Sequence, residues 1–252
     1  MDLMGFIDPF LTLNGLAALL TLTVLEIVLG IDNLVFISVL TVRLDKTDAR
    51  FARGIGLGLA FLFRLILLAS LTFLIGLTQP VVSGFGLDFS WRDIILIAGG
   101  LFLLAKGTHE IHNEVEGAEN EGGPKRTRDA VSMVIVQIAV IDLVFSIDSI
   151  VTAIGLVSEL EIMVVAVVIA MVVMYVAAGP VGGFIARHPT TKMLALSFLL
   201  LIGVALVADG FHFHIPRGYI YAAMGFAALV EVFNVLAHRN RTRPRRKKQD
   251  LP

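Results

Sequence analysis

Apolar runs of about 20 residues recur along the whole of this chain, each bounded by a short charged stretch, and a segment of that length and polarity folds as a helix crossing a bilayer. Seven such runs lie near 11–42, 54–77, 91–107, 130–157, 161–185, 191–208 and 218–237 of the 252 residues. They leave no length for a soluble domain. The hydrophobic fraction of 57% exceeds what soluble domains carry, so the excess faces lipid. The expected fold is an all-α integral membrane protein of seven transmembrane helices, with 1–252 as a single membrane domain. The third run is short, and a shallow segment is the alternative there. Met1 to Phe10 carries Asp2 and Asp8 but no lysine or arginine, whereas a cleavable signal begins basic, so the first run is expected to remain as a span.

Basic residues favour the cytoplasmic side of short loops. With the N-terminus outside, seventeen of the twenty lysines and arginines fall inside: those from Arg43 to Arg53, from Lys106 to Arg128, Arg187 with Lys192, and the tail from Arg239 to Lys248. Arg92 and Arg217 are then assigned to outer loops, and Arg64 stands inside the second span. The C-terminus is expected in the cytoplasm of a bacterial cell. A juxtamembrane basic cluster such as 238–252 contacts anionic lipid, and nucleic acid is not an expected partner. The stretch 108–129, rich in glutamate and closing on KRTR, is expected as a mobile polar loop between two halves.

The chemistry sits in a duplication. The first span reads Glu26-Ile-Val-Leu-Gly-Ile-Asp32-Asn33, and the fourth reads Asp142-Leu-Val-Phe-Ser-Ile-Asp148-Ser149. A second echo links Ala105-Lys106-Gly107 near the end of the third span to Ala208-Asp209-Gly210 at the end of the sixth. Repeat 1 (about 11–107) therefore corresponds to repeat 2 (about 130–208), with the seventh helix (about 218–237) outside the duplication. Three spans per repeat invert the second copy across the membrane, the plan of many secondary transporters whose substrate site lies near the midplane.

Positions six apart lie about 120° apart on an unbroken helix, so Glu26 and Asp32 share no face, nor do Asp142 and Asp148. Convergence would require a bend at Gly30 and Ser146, and a break or strong tilt is expected there. A straight helix over 11–42 would run about 48 Å, beyond a hydrocarbon core of roughly 30 Å. Each ionised carboxylate at such depth costs at least about 2.5 kcal/mol. Glu26, Asp32, Asp142, Asp148 and Glu231 face only Arg64 on this reading, so cations, protons or water must balance them.

Carboxylates with Asn33, Ser149 and Gln137 form a hard oxygen set suited to Mn²⁺, Mg²⁺ or Ca²⁺. The absence of cysteine removes thiolate sites and disulfides. The candidate metal residues are Glu26, Asp32, Asn33, Asp142, Asp148 and Ser149. Arg64, Glu231, Asn234, His109 and His212 are accessory candidates, the histidines as relays or as helix caps at opposite mouths. With several carboxylates crowded together, metal and protons are expected to compete, which would allow proton coupling. No tightly bound cofactor is expected.

The motifs EIVLGIDNLVFIS, DLVFSIDSIVTAIGL, KGTHEIH and the long run from Lys192 to Glu231 resemble those of the TerC family, named for tellurite resistance and similar in plan to LysE-type exporters. The resemblance covers about residues 10–237. It implies divalent-metal efflux, manganese above all, with the acids at Glu26, Asp32, Asp142 and Asp148. The copies differ, Glu against Asp and Asn against Ser, so the half-sites need not coordinate equally. Two other classes compete: a membrane partner that supplies metal to, or assists assembly of, exported proteins, and an intramembrane aspartyl protease built on Asp32 and Asp148.

Overall fold

The computed structural model describes residues 8–41, 44–84, 87–116, 128–154 and 159–241, with backbone alone at 32, 71–72, 128–130, 152 and 238–241. Seven helices among them are long and apolar enough to cross a membrane. They are α1 (Leu13–Thr41), α2 (Lys46–Ala69), α3 (Trp91–Val115), α4 (Arg128–Ile154), α5 (Leu160–Arg187), α6 (Pro189–Gly210) and α7 (Arg217–Arg241). The expected all-α membrane architecture holds. The third span, at 25 residues, is long and apolar enough for a full crossing. The expected loop at 108–129 is shorter than predicted, because residues 108–115 continue α3 and α4 begins at Arg128; residues 117–127 and most of the basic tail lie outside the described residues.

Two local features depart from expectation. A short helix, Leu71–Gly76, follows α2, and a small antiparallel hairpin, β1 (Pro80–Gly84) with β2 (Leu87–Ser90), leads into α3. The predicted break in α1 and α4 is absent, since both run as continuous helices. Gly30 serves packing instead: a Cβ there would lie 2.3 Å from the Sδ of Met174, so its bare backbone receives a side chain of α5. Ser146, at the matching place in α4, receives Arg64 of α2. At 29 residues α1 is about 43 Å long, so it must tilt or project beyond the hydrocarbon core.

The bundle is built from crossed pairs: α1 packs on α5, α2 on α4 and α3 on α6, while α7 leans mainly on α6. Lipid offers apolar helices no hydrophobic reason to associate, so close contact relies on small residues. Gly100 and Gly203 supply it between α3 and α6, where a Cβ on the first would meet the second's carbonyl oxygen at 2.6 Å and the reverse at 3.0 Å. The flanking contacts are reciprocal too. Gly107 faces Leu200, and Gly210 faces Ile97. Gly100 with Gly203, Gly107 with Gly210 and Ile97 with Leu200 each stand 103 positions apart.

Candidate functional site

Arg64, 1% exposed on α2, organises the centre of the bundle. Its Nη1 donates to Glu26 Oε2 at 2.5 Å, and its Nη2 lies 3.7 Å from Asp142 Oδ1. Its Nε donates to Ser146 Oγ at 3.0 Å, and that hydroxyl donates onward to Asp142 Oδ2 at 3.2 Å. Asn33 Nδ2 gives Asp142 Oδ1 a further bond of 2.7 Å. One guanidinium therefore joins the first acids of both motif copies, while the amide of one copy holds the acid of the other. Asn33 Oδ1 is buried and has no hydrogen-bond partner among the described residues.

Asp148 lies elsewhere. On α4, six positions past Asp142, it faces different neighbours, as the 120° offset of an unbroken helix requires. Arg92 Nη2 donates to its Oδ1 at 2.5 Å, and Arg217 Nη2 donates to its Oδ2. These arginines were expected in outer loops. They occupy instead the first turns of α3 and α7, and their side chains turn into the bundle because a carboxylate buried within it needs positive charge more than the arginines need water. The sequence reading of Arg64 as the sole deep base is thus corrected. Each carboxylate of the duplicated motif whose side chain is described is held by at least one guanidinium.

Local structure fixes this second cluster. Ser90 and Asp93 form a capping box, with Ser90 Oγ accepting from the Asp93 amide at 3.2 Å and Asp93 Oδ2 accepting from the Ser90 amide at 2.8 Å. That box starts α3 and places Arg92 in its first turn. At the far end of α6, His212 adopts a left-handed conformation at φ 63°, closing a turn in which Phe213 N donates to Ala208 O at 2.8 Å and His212 N to Asp209 O at 3.0 Å. Glycine is the usual residue there. The histidine gains a tertiary bond for its strain, its Nε2 lying 3.2 Å from Asp93 Oδ2.

The remaining candidates do not converge on the acids. Ser149 Oγ donates to the carbonyl of Ser146 at 3.3 Å within its own helix. Glu231 accepts from Thr191 at 2.9 Å and from Thr190, both on α6, so it ties α7 to the bundle. Asn234 and His109 are exposed, and Gln137 lines a separate cavity with Phe102 and Met133. The Asp32 side chain is not described. Among the described residues, no three histidine, cysteine, aspartate or glutamate side chains stand close enough to hold a metal ion together.

Residues 11–247 match the Integral membrane protein TerC family. The chain belongs to that family. The chain is 49% identical to the UPF0053 inner membrane protein YoaE of Escherichia coli strain K12 over 89% of its own length and 43% of the relative's. It is 48% identical to the inner membrane protein YgdQ of the same strain, over 92% of its length and 96% of the relative's. A UPF0053 protein of Haemophilus influenzae is 46% identical over 88% of this chain and 94% of its own. The chain thus spans less than half of YoaE but nearly all of YgdQ. No solved structure matches.

Proposed function

We propose that this integral membrane protein exports a divalent metal ion, manganese by family resemblance, through alternating access around the centre where α1 and α4 meet. The observation that carries the reading is Asn33 Oδ1, a buried acceptor without a partner among the described residues, on the side chain that holds Asp142. A buried acceptor left unmade is costly, and an oxygen-preferring cation or its hydration water would satisfy it. Arg64 gives the two carboxylates a shared counter-charge in the absence of the cation. The substrate would displace its guanidinium, and Asp32, one position from Asn33, is the further ligand implied by the motif.

The reciprocal contacts of Gly100 with Gly203, and of Gly107 and Gly210 with Leu200 and Ile97, support the inverted repeat. So does the exchange of partners, α1 on α5 against α4 on α2. Alternating access by rocking of such halves follows from that plan. The relatives YoaE and YgdQ carry the inner-membrane label, which favours that membrane, and the distribution of basic residues favours an outside N-terminus and a cytoplasmic C-terminus. The pairing of Asp148 with two arginines disfavours the protease reading, because a catalytic aspartate dyad shares a proton between its carboxylates.

Purified protein in sealed vesicles, given a Mn²⁺ gradient, tests the proposal. Uptake that Glu26→Gln or Asp142→Asn removes supports it. Movement of no divalent cation under any gradient sinks it.

A further inference from the structure

Arg92 and Arg217 reach Asp148 from two helices that begin at the same face of the bundle, and each has a second carboxylate within reach. Arg92 Nη1 lies 3.7 Å from Asp93 Oδ1, and Arg217 Nη2 lies 3.5 Å from Asp209 Oδ2. His212 takes the other oxygen of Asp93, which leaves Oδ1 turned to Arg92. Arg92 also has a buried Nε without a partner among the described residues, so one of its donors is unused in this position. Either arginine could therefore let go of Asp148 without becoming an unpaired buried charge, the outcome that makes breaking a buried pair so costly.

We infer that Arg92 and Arg217 form a releasable latch on Asp148, which closes the face where α3 and α7 begin until a divalent cation reaches that carboxylate. Charge sets the exchange. A divalent ion supplies at Asp148 the positive charge of the two guanidiniums that leave it, and Asp93 and Asp209 stand ready to take those guanidiniums. On release, Arg92 moves to Asp93 and Arg217 to Asp209, and the first turn of α7 is freed from α4. The other end of that helix is held by the Glu231 bonds to Thr190 and Thr191, and most of its large apolar residues among those described face outward. The latch is thus a two-position element of the kind that an ion can bias. Its trigger rests on the transport reading, while its geometry does not.

Beside Arg217 a cavity of about 20 Å³, lined by Phe145, Ala205, Asp209 and Tyr221, has room for little more than a water. The chain contains no cysteine, so Ala205→Cys provides a unique thiol at this spot. The experiment follows the rate at which a charged maleimide labels that thiol in detergent-solubilised protein. Labelling is expected to be slow without metal, to rise about tenfold with saturating Mn²⁺, and to be fast without metal when Arg92→Gln and Arg217→Gln are added. If the double arginine variant does not insert, Asp209→Asn carries the test: it removes one resting place and should blunt the Mn²⁺ response. A labelling rate that neither Mn²⁺ nor any of these substitutions changes overturns the latch. Should vesicles transport Mn²⁺ while labelling stays constant, the latch fails and the exporter reading stands. Fast labelling of the arginine variants with no metal transported keeps the closed latch and removes its trigger.

Discussion

Arg64 holds Glu26 and Asp142 at once, at 2.5 Å and 3.7 Å, so a single side chain from α2 bridges the two copies of a motif separated by more than 100 positions. The bridge makes the centre of the bundle a place where protein charge stands in for an ion. Removing it should therefore expose what the acids would otherwise bind.

Arg64→Met is expected to cost stability, because breaking a buried pair leaves an uncompensated carboxylate at a penalty of about 3–5 kcal/mol. Mn²⁺ should recover more of that loss than it adds to the unchanged protein. Thermal unfolding in detergent, with and without metal, measures both. An unfolding midpoint equal to that of the parent would mean Arg64 is not the counter-charge its contacts describe.

Asp148→Asn is expected to fold and to abolish efflux. The variant strands neither arginine, since Asp93 and Asp209 lie within 3.7 Å and 3.5 Å of them, yet it removes the charge that a passing cation would use. Efflux by cells at native expression, together with a monodisperse elution profile, checks the two halves separately. Normal efflux would take Asp148 off the ion's path. The motif extends the same expectation to Asp32→Asn.

Close helix contact gives a ranked prediction. Gly100→Ala should destabilise more than Gly203→Ala, because the added Cβ would lie 2.6 Å from a backbone oxygen in the first case and 3.0 Å in the second. Backbone cannot swing aside, and overpacking of this kind costs about 1–3 kcal/mol. Equal unfolding midpoints for the two variants would show that α3 and α6 separate freely.

The seven spans were legible because each needs about 20 apolar residues, a requirement that the sequence states without help from tertiary structure. The duplicated acids were legible for a similar reason, since carboxylates stand out in apolar runs. Their partners were harder to see. Hydropathy places Arg92 and Arg217 at span edges, and an edge arginine can turn toward water or toward the bundle with equal ease along the sequence. The signal was present in the charge count: the expected topology assigns seventeen basic residues to one side, and the three it does not are Arg64, Arg92 and Arg217. All three hold acids of the motif. The hairpin of β1 and β2 left no comparable trace, because strands of five and four residues are too short for a period to establish itself.

Gly30 offers the sharpest test of how the motif helix works. Its place between Glu26 and Asp32 suggests a hinge, yet α1 is continuous there and the missing Cβ makes room for Met174. The two roles predict different behaviour. A hinge glycine acts through its own backbone, so Gly30→Ala would impair transport whatever stands on α5. A packing glycine acts through its neighbour, and the Met174 thioether, lying at the flexible end of its side chain, can move or be shortened. Gly30→Ala should thus cost about 1 kcal/mol or somewhat more, and the double variant with Met174→Ala should be no less stable than Met174→Ala alone. A double-mutant cycle on unfolding free energy should return a coupling of about 0.5–3 kcal/mol, the range found for residues in contact. Additive losses would return the glycine to the hinge role and with it the bent site that the straight helix argues against.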